Sequence, residues 1–256
     1  MEAFLDYSKY YDAFYKDKDY RKEAEEIDSL IKKYGSNPVS KIILYGCGTG
    51  KHDREFAGLG YKCHGIDLSE GMINEAKKKA EENGLNISYE KSDIREYVPR
   101  EKYDAVLSLF HVMSYQTENE DILKTFKSAR SAMDENGLFI FDAWYGPGVL
   151  SDPPAVRIKE AGDDTCRYVR LCKPEIHPNK NVVDVNYQVL VFDERTGKRE
   201  YVNEIKETHR MRYVFGPEIK YMLSQTGFEL LDIIDCKSLK AANLNSWTAY
   251  FVARCV

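Results

Sequence analysis

The chain has no Cys-x-x-Cys pair. Its six cysteines, Cys47, Cys63, Cys166, Cys172, Cys236 and Cys255, are scattered. That pattern excludes the spacing of a zinc site or a small disulfide framework, so no metal is expected and a reducing cytoplasm is the simplest home. There is also no apolar run of about eighteen residues, and the opening Met-Glu-Ala-Phe-Leu-Asp-Tyr lacks a basic region followed by an apolar core, so neither a membrane span nor a secretory leader is expected. Long basic blocks are absent as well. The 37 basic and 42 acidic residues give a formal net charge of -5, which disfavours generic attraction to nucleic acid. The longest basic run, Lys77-Lys78-Lys79, falls in a Glu- and Ala-rich helical stretch and reads as a solvated face. Internal repeats and low-complexity segments are likewise missing. The length of 256 residues suffices for one large core, with or without an elaborated insertion.

What the chain does have is the apolar run Ile42-Ile43-Leu44-Tyr45 closing in Gly46-Cys47-Gly48-Thr49-Gly50. Alternating glycines at a strand end let the backbone turn sharply and approach a ligand, because no Cβ stands in the way. Asp67 follows twenty-one residues after Gly46, at the end of the next strand pattern, where a carboxylate can accept from ribose hydroxyls. The expected ligand is a nucleoside.

Residues 19–34 carry Ala24, Ile27, Leu30, Ile31 and Tyr34 on one helical stripe, ended by the segment from Gly35 to Pro38. Strand patterns at 41–45, 61–66, 86–90, 103–109 and 137–142 then alternate with helical patterns at 51–59, 70–83 and 119–133. Ser69 is placed to cap the second of these helices and Asn83-Gly84 to stop it. The pattern breaks at Gly146-Pro147-Gly148 and Pro153-Pro154. Beyond it, 165–172, 181–192 and 200–215 read as strands, with a hairpin turn over 193–198. A helix over 217–226 and strands at 228–236 and 247–255 close the chain. The reading is an α/β fold: a Rossmann-like, doubly wound, mostly parallel seven-stranded sheet with an antiparallel β flap inserted after the fifth strand. It divides into a helical lid (1–36), a binding core (37–150), the flap (151–215) and a return to the core sheet (216–256).

A dinucleotide site needs Gly-x-Gly-x-x-Gly, and here Lys51 follows Gly50, leaving Gly-x-Gly-x-Gly. Together with Gly-Ile-Asp-Leu-Ser-Glu-Gly-Met at 65–72, Ser-Asp-Ile-Arg at 92–95 and Tyr-Asp-Ala-Val-Leu-Ser-Leu-Phe at 103–110, the chain resembles class I S-adenosylmethionine-dependent methyltransferases over most of its length. The resemblance implies S-adenosyl-L-methionine as cofactor. Gly46, Cys47, Gly48 and Gly50 would line its methionine and ribose, and Asp67 would hold the ribose diol. Leu68 and Met72 would pack on the adenine. Asp93, flanked by Ser92, would accept from the adenine's amine, with the Ile94 amide facing the ring. Two of these readings have plainer alternatives: Met72 as core packing and Asp93 as a turn cap. One departure stands out. The family carries an acidic residue two places before the first glycine, near the methionine amine, and this chain has Leu44. Amine recognition must then come from elsewhere, such as backbone carbonyls near Gly46 or Leu109, or the N-terminal segment.

Tyr7, Tyr10, Tyr11, Tyr15 and Tyr20 crowd the opening. They either pack a terminal helix or, by resemblance to glycine and sarcosine N-methyltransferases and nucleotide-linked amino-sugar N,N-dimethyltransferases, form a lid in which Tyr11, Tyr15 and Lys18 reach the cofactor. At the fourth strand's end, His111 could take a proton from an attacking amine or hydroxyl. Tyr115 competes with it for the catalytic role, and a structural histidine is the plainer alternative. Trp144 and Tyr145 form either an aromatic wall at the substrate or ordinary core. The flap resembles the insertion of the amino-sugar enzymes, which covers the active site and supports dimers, so a homodimer through the flap is expected. His177, His209, Arg212 and Tyr213 are its candidate substrate contacts, Arg212 through its planar fork of donors. Where those enzymes offer a C-terminal arginine to the nucleotide, this chain has Asn245-Ser246-Trp247-Thr248. The function so implied is methyl transfer to an amine or hydroxyl of a small polar molecule, a sugar or nucleotide-linked sugar. An amino acid such as glycine, or an inactive nucleoside-binding protein, are the alternatives.

Overall fold

Ile42, Ile43, Leu44 and Tyr45 are all buried. Ile42 and Leu44 enter one hydrophobic cluster while Ile43 and Tyr45 enter another, so the strand is covered on both faces. That is why its sequence reads as an unbroken apolar run and not as an alternation. The computed structural model describes Phe14, residues 18–162 and residues 165–256, which fall into two compact units. In chain order the elements are α1 (Tyr20–Tyr34), β1 (Lys41–Tyr45), α2 (Lys51–Gly58), β2 (Lys62–Asp67), α3 (Glu70–Glu82), β3 (Ser88–Lys91) and β4 (Tyr103–Ser108). There follow α4 (Asn119–Ser131), β5 (Met133–Tyr145), α5 (Gly146–Ser151), β6 (Arg157–Gly162), β7 (Cys166–His177) and β8 (Val182–Asp193). The chain continues through β9 (Glu200–Val214), α6 (Gly216–Ser224), β10 (Phe228–Asp235) and β11 (Thr248–Cys255).

The larger unit, Asp19–Asp152 with Tyr213–Val256, holds a sheet in the order β3-β2-β1-β4-β5-β11-β10. Its first five strands pair in parallel, and β11 enters antiparallel between β5 and β10. Helices cover both faces. Ala24, Ile27, Leu30 and Ile31 of α1 and Phe56 of α2 pack on one; Ile122, Phe126 and Ala129 of α4 and Ile219, Met222 and Leu223 of α6 pack on the other. Phe126, Phe139, Phe141 and Phe251 are fully buried there, each worth roughly 1.5–3 kcal/mol of transfer free energy. Helix ends follow local chemistry. Asp19 accepts from the Lys22 N–H and Ser69 from the Met72 N–H, filling donors a helix start leaves open, and Gly84 at φ +65° ends the α3 turn. No helix among the described residues is long and apolar enough to cross a membrane.

The smaller unit, the described residues up to Lys18 with Pro153–Arg212, is an antiparallel meander, β6-β7-β8-β9. Phe14, Tyr168, Val189, Val191 and Ile205 form its core. The Arg170 guanidinium lies 4.9 Å above the Phe14 ring and 5.1 Å from that of Tyr187, a cation–π arrangement.

β7 runs on to His177, five residues past its expected end at Cys172, and three other elements differ from the periodicity. β6 has no counterpart in the sequence reading, because an edge strand with Ile158 exposed lacks the buried alternation that marks a strand. β5 starts at Met133 and not 137, because its register against β4 shifts between Tyr103 and Ala105 and the extra residues loop out through Asn136 at φ +68°. Gly146-Pro147-Gly148 is a short helix with its proline in the first turn, where no N–H is needed. A Cβ at Gly148 would lie 1.9 Å from the Ser246 carbonyl oxygen. Gly148→Ala is therefore expected to destabilise the protein by about 3 kcal/mol, read as a lower midpoint of urea denaturation; an unchanged midpoint would show that the 243–247 segment yields freely.

Candidate functional site

The glycine turn leaves β1 at its carboxyl end and folds back over β2, the N–H groups of Gly46 and Cys47 both donating to the Ile66 carbonyl at 2.8 and 2.9 Å. Gly46, Gly48 and Gly50 all have positive φ, a region that costs other residues dearly. They differ in what a side chain would meet. A Cβ on Gly46 would press Val112 at 2.6 Å, whereas one on Gly48 would meet nothing within 4 Å. The middle glycine thus faces open space, as a cradle for a ligand requires.

Asp67 ends β2 beside it. Its Oδ2 accepts the Gly48 N–H at 2.9 Å and its Oδ1 the Ser69 N–H at 2.8 Å. Burial raises its carboxyl above the ordinary value, and the two N–H donors oppose that rise. The next residue, Leu68, is 61% exposed, a large apolar surface adjoining the carboxylate. Met72 is buried at the start of α3, and Ile94 and Leu109 are buried too. The Ser92 N–H donates to the Asp67 carbonyl, tying the two motifs together. Asp93 is occupied: Arg95 binds both its oxygens through Nε and a terminal nitrogen and also reaches Asp121 at 3.2 Å. The Arg95 pair holds the Asp93 carboxyl below its ordinary value. These features fit the nucleoside and amino-acid ends of S-adenosylmethionine: an open glycine face, a carboxylate fixed beside it and an exposed leucine next to that carboxylate.

At the end of β4, Phe110 and His111 both stand at φ +66°, two successive left-handed residues that carry strain. Asp142 of β5, 2% exposed, holds His111. Its two oxygens accept the His111 N–H at 3.0 and 3.1 Å, and its Oδ2 lies 2.6 Å from His111 Nδ1. Tyr115 closes the short turn Val112–Tyr115. Ser114 in the same turn accepts the Trp144 N–H at 3.0 Å. The Trp144 ring meets Trp247 edge-on at 4.7 Å, and Trp247 Nε1 donates to the Asp152 carbonyl. Tyr145 packs on Phe251.

Several expected contacts are not gathered together. Tyr11 and Tyr15 lie outside the described residues; Lys18 is partly buried at the start of them. In the smaller unit, His209 opposes Val185 and Arg212 opposes Val182. Three residues apart on one strand, they point to opposite faces of the meander. His177 pairs with Asp184 at 2.9 Å, while His209 is 3% exposed and bonds Glu207. Tyr213 belongs to the larger unit, not to the flap, and is fully buried, its hydroxyl without a partner among the described residues. Among the described residues no three His, Cys, Asp or Glu side chains converge as a metal site.

Three groups escape a reading of the sequence. Asp142 is one, its only mark being a lone acid at the end of the apolar run Leu138–Ala143. Asp53, fully buried in the first turn of α2, is another. The third is Glu23 of α1, whose Oε2 lies 2.7 Å from His52 Nε2 and whose Oε1 accepts from the Tyr250 hydroxyl at 3.5 Å.

Comparison with known proteins follows the same lines. Residues 42–137 match a family described as a methyltransferase domain. The chain is 25% identical over 251 residues to a Geobacillus sp. (strain WCH70) protein named as a methyltransferase, covering 97% of this chain and 98% of that one. It is 27% identical over 150 residues to the dTDP-3-amino-3,4,6-trideoxy-alpha-D-glucopyranose N,N-dimethyltransferase of Streptomyces venezuelae, a match spanning 58% of this chain and 61% of the relative. Among solved structures, a S-adenosylmethionine-dependent methyltransferase from Clostridium acetobutylicum ATCC 824 shares the fold with a TM-score of 0.80 at 22% identity, covering 99% of each chain.

Proposed function

We propose that this chain, a class I S-adenosylmethionine-dependent methyltransferase whose residues 42–137 match a methyltransferase domain, methylates the amine of a sugar or nucleotide-linked sugar. The observation that carries the reading is the likeness to the Streptomyces venezuelae sugar N,N-dimethyltransferase, with the His111–Asp142 pair at the carboxyl end of the strands as its chemical support. The bound cofactor supplies an electrophilic methyl group on a sulfonium. The chain's own work is positioning, since most of the barrier to an in-line displacement falls when donor and acceptor are aligned. Asp67 and the glycine turn fix the nucleoside end. His111 Nδ1 lies 2.6 Å from Asp142 Oδ2, and a ring that carries its proton on Nδ1 presents Nε2 as the base. A primary amine that gains a methyl must shed one proton, and Nε2 accepts it and passes it to water. Asp142 accepts the His111 backbone N–H and lies against its ring; it is a positioning residue.

On this reading the acceptor is a small molecule and the enzyme works in the cytoplasm without membrane or nucleic-acid partners. The meander supports a homodimer. The test is mass spectrometry after incubation with S-adenosylmethionine. A dTDP-amino sugar should gain one or two methyl groups and glycine none; methylation of glycine alone would overturn the substrate assignment.

A further inference from the structure

Leu44 occupies the place where an acidic side chain would meet the cofactor's ammonium group, and it is 3% exposed in a cluster with Ala24, Ile27, Leu107, Leu109, Ile140 and Tyr250. A carboxylate on that position would be sunk among apolar groups at heavy cost. The residue beside Ala24 is Glu23. Its carboxylate is framed by two elements that flank the glycine turn and the strand ends. His52 Nε2, 2.7 Å away, belongs to the first turn of α2, directly after Gly50. Tyr250, which donates at 3.5 Å, opposes Asp142 in the β11–β5 register, and Asp142 carries His111. Burial, with Cys236, Glu23 and Asp142 nearby, drives the Tyr250 phenol far up, so it stays a donor. The Glu23 side chain is 16% exposed and the His52 side chain 10%.

We propose that Glu23 of α1, bonded to His52 just after the glycine turn, is the carboxylate that receives the methionine ammonium of the cofactor. The acid that strand β1 lacks is thereby supplied by the preceding helix, and His52 and Tyr250 orient it. A carboxylate can accept several bonds at once, so an ammonium joins these two donors without displacing them. Charge sign sets the orientation: the amine end, not the carboxylate end, of the amino acid turns toward α1. The inference rests on the glycine turn being the S-adenosylmethionine site.

The test compares S-adenosylhomocysteine with 5′-methylthioadenosine, which shares the nucleoside and thioether but lacks the amino acid, by calorimetry on the wild type and Glu23→Gln. Glu23→Gln is expected to weaken S-adenosylhomocysteine roughly tenfold or more, a charge-assisted bond being lost, and to leave 5′-methylthioadenosine unchanged. Unchanged binding of both, an equal fall in both, or tighter S-adenosylhomocysteine would overturn the assignment, the equal fall marking Glu23 as a tether between α1 and α2. If the wild type binds neither compound, the cofactor site itself is misread, which is a distinct result.

Discussion

Asp67→Ala is expected to lower the affinity for S-adenosylhomocysteine by roughly 10²–10⁴-fold, because in its proposed role the carboxylate accepts from two ribose hydroxyls at about 1.5–3 kcal/mol per bond. The loss has a second part. Asp67 also pins the Gly48 N–H at 2.9 Å, so its removal frees the one glycine of the turn that faces open space. Calorimetry checks the magnitude, and a fall of less than about fivefold would mean that Asp67 only braces the turn. The pH dependence carries an independent sign. In the proposed role Asp67 binds the ligand in its ionised form, and burial raises this carboxyl above the ordinary aspartate value. Wild-type affinity should therefore fall as pH drops through that raised value, beginning at a higher pH than for an exposed aspartate. The Asp67→Ala protein should show no such limb.

Asp53→Asn is expected to stabilise the protein by on the order of 4 kcal/mol at about pH 8 and by little at about pH 4. Asp53 is fully buried, neither of its oxygens has a hydrogen-bond partner among the described residues, and burial pushes its carboxyl up to about 7. Cys47 of the turn, Cys63 of β2, Tyr89 of β3, the adjacent Arg54 and Asp67 face it electrostatically. Only Arg54 is cationic. The unfolded aspartate titrates at about 3.9, so between that pH and about 7 the folded state binds the extra proton, and stability falls as pH rises. Above about 7 the folded state carries an unpaired buried charge and the full penalty applies. Asparagine cannot ionise and escapes it. Urea denaturation of both proteins at the two pH values decides; a difference that does not change with pH would mean that Asp53 does not titrate in this range.

Much of the fold was legible because local pattern and tertiary fate agree. The α1 stripe, the β1 run and the Ser69 cap each state their burial or bonding within a few residues. The place of Asp67 at the end of β2 was legible for a similar reason: turn, helix and second strand have stereotyped lengths, so its distance from Gly46 places it. The groups that escaped depend on partners far along the chain. Glu23 meets His52 across 29 residues and His111 meets Asp142 across 31, and no periodicity encodes those meetings. Asp53 looked like an ordinary first-turn acid, favourable at a helix start; only the packing of Gly65 and Tyr89 against it shows that it is sealed. The split between His209 and Arg212 was in principle readable, since three residues on one strand reverse the face.

The placement of β11 has a consequence for synthesis. It lies between β5 and β10, yet its first residue, Thr248, follows the last residue of β5, Tyr145, only after the whole meander has been made. At about 5–20 residues per second, the interval of about a hundred residues leaves the edge of β5 without its antiparallel neighbour for roughly 5–20 s on the ribosome. The exposed rim includes Leu138, Phe139, Ile140 and Phe141, every one buried in the finished fold. An open apolar edge of that kind invites pairing with other chains. The nascent protein is thus most vulnerable to aggregation while β6 to β9 are being translated, and most dependent on chaperones in that window.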